Sequence, residues 1–299
     1  MNLQKTITFA SYIAVSTALI SCGSSSTETT NDTKVDTADA QAHTKDIKAQ
    51  NVFYSIPSPV ETTTLLKAAG AKYNPKFLNP IENVSKYSSV ASKALNLGIY
   101  GSDLSFTSIF DKTQESMLYL RCTNTLATGL GISGAFDEKT TSRIEANMEN
   151  RDSLLAIISD SYWSADAYLK DNGQPGVSAL IVAGGWIEGL YIATQIANTT
   201  QNKDIITRIG EQKLSLDNLV ALLDSYKADN AGVTDALKNV SELKKIYDGI
   251  TVTTSETTTS TDKTKGVTTI GNGSNFTLTD AQLKQITDKA TEIRNKFIQ

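Results

Sequence analysis

One stretch of the chain constrains the fold more than any other: residues 175–199, PGVSALIVAGGWIEGLYIATQIANT. The stretch begins with Pro175, and proline is common in the first turn of a helix. Apolar residues occupy almost all of its faces, and Glu188 is its only charged residue. A helix that is apolar all round is buried in a protein core or in a membrane. We therefore predict a central helix around which the other helices pack.

The same stretch is long enough to cross a bilayer. However, Glu188 lies near its centre, where an acid costs about 2.5–3.5 kcal/mol on insertion scales. Gly184, Gly185 and Gly189 follow one another closely, although a glycine destabilises a helix interior by about 1 kcal/mol. We therefore expect a buried core helix rather than a membrane span, with another backbone packed very close to the glycines.

Residues 51–299 predict one all-α domain, a bundle of about ten or eleven helices. Capping patterns begin a helix at Ser58, which ends at Gly70, and another at Asn79, which ends near Gly98. A last helix is capped by Thr279. The other predicted helices are 113–129, 137–150, 153–170, 202–213, 215–228 and 233–247. The threonine-rich insertion 250–275 fits either a small β-hairpin or an unstructured loop.

Residues 1–21 have the pattern of a secretory signal peptide, with Lys5 before an apolar segment. They end in LIS, followed by Cys22 and Gly23, which resembles the lipobox of bacterial lipoproteins. The resemblance implies that Cys22 is the first residue of the mature protein and carries fatty acyl chains such as palmitate. Several acyl chains anchor a protein stably to a membrane, whereas one chain does so only marginally.

Residues 22–50 predict a disordered tether, because they have no aromatic residue and few large aliphatic ones. Within it, Asp36-Thr37-Ala38 resembles the short O-glycosylation acceptor of Bacteroidota, although chance produces such a triplet about as readily. The acidic run that marks surface-exported lipoproteins of that phylum is not obvious after Cys22. We therefore expect an outer-membrane lipoprotein on the periplasmic face.

Composition disfavours several classes of function. The net charge is −4 and there is no basic stripe, so we expect no nucleic-acid partner. The single histidine, His43, lies in the tether, which disfavours histidine-dependent nucleophilic catalysis and histidine-ligated zinc. With Cys22 lipidated, Cys122 has no disulfide partner within the chain and is expected to be a small buried residue. No cofactor or metal is predicted.

Glu188 is the best candidate for a functional side chain, because burial raises the pKa of a carboxyl unless a cation or hydrogen bonds stabilise its charge. The favoured interpretation is a structural ion pair with Arg121 or Arg208. The alternative is a ligand pocket around Glu188, formed by Trp186, Tyr191, Tyr100 and Asp103.

Three segments, 95–106, 143–163 and 184–196, together resemble an uncharacterised group of helical lipoproteins from Bacteroidota. The resemblance covers residues 52–228 and implies a compartment, but no activity. We therefore expect a lipid-anchored envelope protein that binds or scaffolds another envelope protein. The alternatives are a pocket for a small or glycan-derived ligand at Glu188, and a carboxylate-based hydrolase. A sealed contact between Glu188 and an arginine would favour scaffolding, and a cleft with a second free carboxylate would favour the enzyme.

Overall fold

The computed structural model describes residues 55–132, 138–147, 149–254, 258–262, 267–271 and 274–299. The predicted signal peptide, the lipidation site Cys22 and the tether with Thr37 lie outside the described residues. The described part is an all-α bundle, as predicted, with nine α-helices and two short 3₁₀ segments. The helices are α1 (Pro59–Ala68), α2 (Val90–Ile109), α3 (Thr113–Gly129), α4 (Glu138–Ala146), α5 (Arg151–Asp171), α6 (Pro175–Thr200), α7 (Lys203–Tyr226), α8 (Ala231–Asp248) and α9 (Asp280–Phe297).

Helix α6 is the predicted central helix. Among the described residues it is the one helix long and apolar enough to cross a membrane, and 94% of its most apolar window is buried inside the bundle. It contacts α1, α2, α5, α7, α8 and α9. Its apolar residues are therefore covered by the protein on all sides, which accounts for the absence of a polar face.

Helices α6 and α2 cross with their backbones in close contact, at two glycines. A Cβ atom built on Gly184 would lie 1.9 Å from the carbonyl oxygen of Leu95. A Cβ atom built on Gly98 would lie 1.9 Å from the carbonyl oxygen of Ile181. The predicted close approach of another backbone to the glycines of α6 is confirmed, and α2 provides that backbone.

Two predicted caps are present as full capping boxes. Ser58 and Glu61 exchange hydrogen bonds at the start of α1. Thr279 and Gln282 do the same at the start of α9. Each box satisfies backbone donors that would otherwise lack a partner at a helix N-terminus.

Two predicted boundaries were wrong. The segment after Asn79 forms only a 3₁₀ turn, Ile81–Lys86, and α2 begins later and runs through Gly98, where the glycine allows the contact with α6. The predicted helices 202–213 and 215–228 are one helix, α7. Ser215 does not interrupt it, because its hydroxyl donates to the carbonyl of Gln212 within the same helix.

Residues between α8 and α9 form short antiparallel strands, which is the hairpin alternative of the two that the sequence left open. Strand β1 (Thr251–Thr254) pairs antiparallel with β4 (Ser274–Thr277), and β2 (Thr258–Asp262) pairs with β3 (Val267–Gly271). Phe276 of β4 is buried, and a Cβ atom on Gly210 of α7 would lie 2.9 Å from the Phe276 Cβ atom. The base of the hairpin therefore packs directly on the bundle.

Candidate functional site

Glu188 lies in the interior of the bundle, completely buried, and forms an ion pair with Arg294 of α9. The Arg294 Nε atom donates to Glu188 Oε2, and Nη2 donates to Oε1, and both donor–acceptor distances are 3.0 Å. Such a two-point contact between a guanidinium and a carboxylate is stronger and more directional than a single hydrogen bond. It joins α6 to α9.

The expected partners of Glu188 were wrong. Arg121 is exposed on α3, whose buried face is formed by other residues. Arg208 lies on α7 and forms an ion pair with Glu211, with a nitrogen–oxygen distance of 2.7 Å. The partner is Arg294, which is only 6% exposed.

Two further contacts hold the guanidinium of Arg294 in place. Its Nη2 atom also donates to the carbonyl of Phe77, over 3.4 Å. The ring of Tyr191 lies 4.6 Å from the guanidinium carbon, a cation–π arrangement. Tyr191, expected to line a ligand pocket with Glu188, is therefore close to Glu188 but stacks on its ion-pair partner.

A second carboxyl, Asp103 of α2, belongs to the same cluster and is also completely buried. Its Oδ2 atom accepts a hydrogen bond from the backbone N–H of Asn79 over 3.1 Å. Its Oδ1 atom has no hydrogen-bond partner among the described residues. The Asp103 and Glu188 side chains lie within hydrogen-bonding reach of each other.

Burial governs the protonation of the cluster. It raises the pKa of Asp103 well above its usual range, and the negative charge of Glu188 raises it further. Burial also raises the pKa of Glu188, but the charge and hydrogen bonds of Arg294 oppose that rise. Because Arg294 donates to both oxygens of Glu188 and to neither oxygen of Asp103, we assign the negative charge of the cluster to Glu188.

A shell of amide and phenol groups joins the cluster to the end of α9. Asn96 Nδ2 donates to the carbonyl of Phe297 at a distance of 2.7 Å. The Tyr87 hydroxyl donates to the carbonyl of Ile298 at a distance of 3.4 Å. The Tyr119 hydroxyl donates to the carbonyl of Asn79 over 3.2 Å. None of these residues was predicted from the sequence to belong to a site. Asn96 was the most visible signal, because it is a polar residue within the apolar stretch ALNLGIY.

The remaining predicted site residues lie in other contacts. Tyr100 is buried on α2, and its hydroxyl donates to the carbonyl of Pro80 over 2.8 Å. Trp186 faces α7, where its Nε1 atom donates to the hydroxyl of Ser215 over 2.9 Å. Cys122 is buried and free of any disulfide, and burial raises the pKa of its thiol to about 11. The hydrogen bonds of Tyr100 and Trp186 therefore connect parts of the bundle to each other and do not line a pocket at Glu188.

The bundle also contains a cavity of about 40 Å³ between α1, α2 and α5. Gly101 of α2 is part of its lining, and a Cβ atom built there would meet nothing within 4 Å. The hydroxyls of Ser105 and Ser161 also line the cavity, but each donates to a carbonyl of its own helix. The lining is therefore mostly apolar, and it does not include Asp103, Glu188 or Arg294.

No group of three histidine, cysteine or acidic side chains suited to a metal ion occurs in the part of the chain that the structure describes. No protein-family model, curated protein or solved structure matches the chain. The described part of the chain is an all-α bundle in which an acid–guanidinium cluster is buried against the central helix.

Proposed function

We propose that the chain is a lipid-anchored protein of the bacterial cell envelope that binds or scaffolds another envelope protein. The observation that supports this proposal over catalysis is the sealed contact between Glu188 and Arg294. Both oxygens of Glu188 accept hydrogen bonds from Arg294, and Glu188 has no exposed surface. A catalytic acid or base has to come within hydrogen-bonding distance of its substrate.

The second carboxyl does not restore a hydrolytic site. Asp103 is as deeply buried as Glu188, and its Oδ2 atom is occupied by the Asn79 backbone. A glycosidase needs two carboxyl groups on either side of a bond that the substrate brings between them. Here both carboxyls are completely buried, so a sugar has no access to either of them. The same closure argues against a glycan-derived ligand at Glu188.

The proposed anchor is the lipid on Cys22. The Cys22→Ala variant should fail to incorporate labelled palmitate and should move from the detergent phase to the aqueous phase in a cloud-point separation. The parent protein serves as the control. If the variant still incorporates palmitate and partitions with the detergent like the parent, the anchor is elsewhere and the lipoprotein proposal is wrong.

The proposed partner is tested by site-specific photocrosslinking of the full-length protein in its own host. Suitable positions are exposed apolar residues on different helices, which include Leu214, 62% exposed on α7, together with Val90 and Leu118. A scaffold should give a discrete adduct at one position and none at a distant one. The same probes in the Cys22→Ala background show whether the adduct needs the anchor. Absence of any adduct across exposed positions on all helices would contradict the proposal.

A further inference from the structure

Three ionisable side chains meet in the buried cluster, but only one of them is a cation. Asp103 and Glu188 are carboxyls, and Arg294 is the guanidinium. With both carboxyls ionised, the cluster would carry an uncompensated negative charge in the interior. Burying an unpaired charge is costly enough that such a group takes up a proton instead. One of the two carboxyls is therefore expected to be neutral.

The hydrogen bonds show which carboxyl is neutral. Each Glu188 oxygen accepts from Arg294, so an ionised Glu188 uses this contact fully. Asp103 Oδ2 accepts from Asn79, whereas Oδ1 has no donor to accept from. A protonated carboxyl is itself a donor, and an ionised one has lone pairs for further donors. The side chains of Asp103 and Glu188 are hydrogen-bonding neighbours, so a proton on Asp103 would have Glu188 as its acceptor.

We propose that Asp103 is protonated in the folded protein and donates a hydrogen bond to Glu188. This hydrogen bond connects α2 to the ion pair between α6 and α9. The step is a proton uptake from water when the chain folds, and no other bond forms or breaks. The contact then has one negative and one positive charge. Removing the proton leaves two carboxylates facing one guanidinium, which makes the contact a pH-sensitive element of the fold.

The other titratable groups around Asp103 do not supply a second charge at neutral pH. Burial is the main cause that raises the pKa of each of them, so that each is neutral: Tyr73, Tyr100, Tyr119, Tyr191 and Cys122. The charged groups that face Asp103 are thus Glu188 of α6 and Arg294 of α9. Burial and Glu188 raise the pKa of Asp103, and Arg294 lowers it by less.

The sign of the pH effect follows from this direction. A carboxyl whose pKa is higher in the folded than in the unfolded state binds a proton on folding. Its contribution to stability is complete below the unfolded pKa of about 3.9 and is lost as pH rises towards the folded pKa. Within that window, the unfolding equilibrium constant rises about tenfold per pH unit on account of this one group.

The test is the Asp103→Asn variant of the full-length protein, because asparagine reproduces the protonated carboxyl. Its carbonyl accepts from the Asn79 backbone and its amide donates to Glu188, but it cannot ionise. Denaturant unfolding is measured for both proteins at pH 5, 6 and 7. The unfolding equilibrium constant of the parent, divided by that of the variant, should rise about tenfold per pH unit. A ratio that is constant with pH, or that changes in the opposite direction, would overturn the proposal.

A second measurement does not depend on the folding of the variant. The infrared spectrum of the folded parent at pH 7 should contain the C=O stretching band of a protonated carboxyl, and ¹³C-labelled aspartate should shift it. The matched control is Asp166→Asn, since Asp166 is also buried but has the Lys170 ammonium as a partner over 2.8 Å. That variant should keep the band. A parent spectrum without the band would show that Asp103 is ionised.

Discussion

At the residue scale, Glu188 and Arg294 make a structural pair whose loss should be asymmetric. Arg294→Met alone should destabilise the protein by about 3–5 kcal/mol, because it leaves the carboxylate of Glu188 buried without a cation. Adding Glu188→Met should recover part of that loss, since a matched apolar pair removes the unpaired charge. Denaturant unfolding of the parent, both single variants and the double variant gives the coupling as a double-mutant cycle.

The control is Arg208→Met, which removes an arginine from a half-exposed ion pair with Glu211. Exposed pairs contribute about 0–1 kcal/mol, so this variant should stay close to the parent. If Arg294→Met costs no more than Arg208→Met, or if the double variant shows no recovery, the contact between Glu188 and Arg294 does not stabilise the fold.

The sequence predicted Glu188 well and its partner badly, for a physical reason. An acid on a helix that is apolar on every face has to be compensated, and this follows from composition alone. The partner depends on which helix lies against that face. Arg294 follows Ile293 and lies one helical turn after Ala290, which are both apolar residues of α9, so its position beside the apolar face of this helix was a signal. Arg121 has an apolar neighbourhood in sequence but points away from the core.

At the element scale, the crossing of α2 and α6 predicts opposite effects for similar substitutions. Gly184→Ala and Gly98→Ala should each destabilise by about 1–3 kcal/mol or more, because the new methyl group overlaps a backbone carbonyl and the helices have to separate. Gly101→Ala on α2 should stabilise by up to about 1 kcal/mol, because alanine favours the helix and meets open space.

Thermal unfolding of these three variants measures the effect, and Gly101→Ala is the control for Gly98→Ala on the same helix. Equal effects at the two positions would contradict the close approach.

This crossing also shows how far helix boundaries follow from sequence. Gly98 was interpreted as the end of a helix, as a glycine often is, but here it serves the packing of α2 on α6. Sequence alone does not distinguish the two uses.

At the scale of the whole molecule, the all-α class and the central helix followed from apolar periodicity and caps, because both are local properties. The joining of α9 to the middle of the bundle did not. It depends on contacts between residues far apart in the chain, such as Glu188 with Arg294 and Asn96 with Phe297. The helical spacing of Leu283, Ile286 and Ile293 indicates that α9 docks through one apolar face, but it does not indicate which helices receive it.

The same view of the molecule predicts different outcomes for removing the two ends of the chain. Deleting residues 1–50 should leave the helical circular dichroism and the melting midpoint unchanged, since residues 1–21 are the predicted signal peptide and residues 23–50 lack core-forming side chains. Deleting residues 280–299 should abolish cooperative unfolding, because α9 buries Leu283, Ile286, Ile293 and Phe297 and supplies the cation that Glu188 needs. Each deletion is measured against the full-length protein. A large loss on removing the first segment would show that it belongs to the fold. A cooperative transition that persists without α9 would show that the bundle does not depend on the buried ion pair.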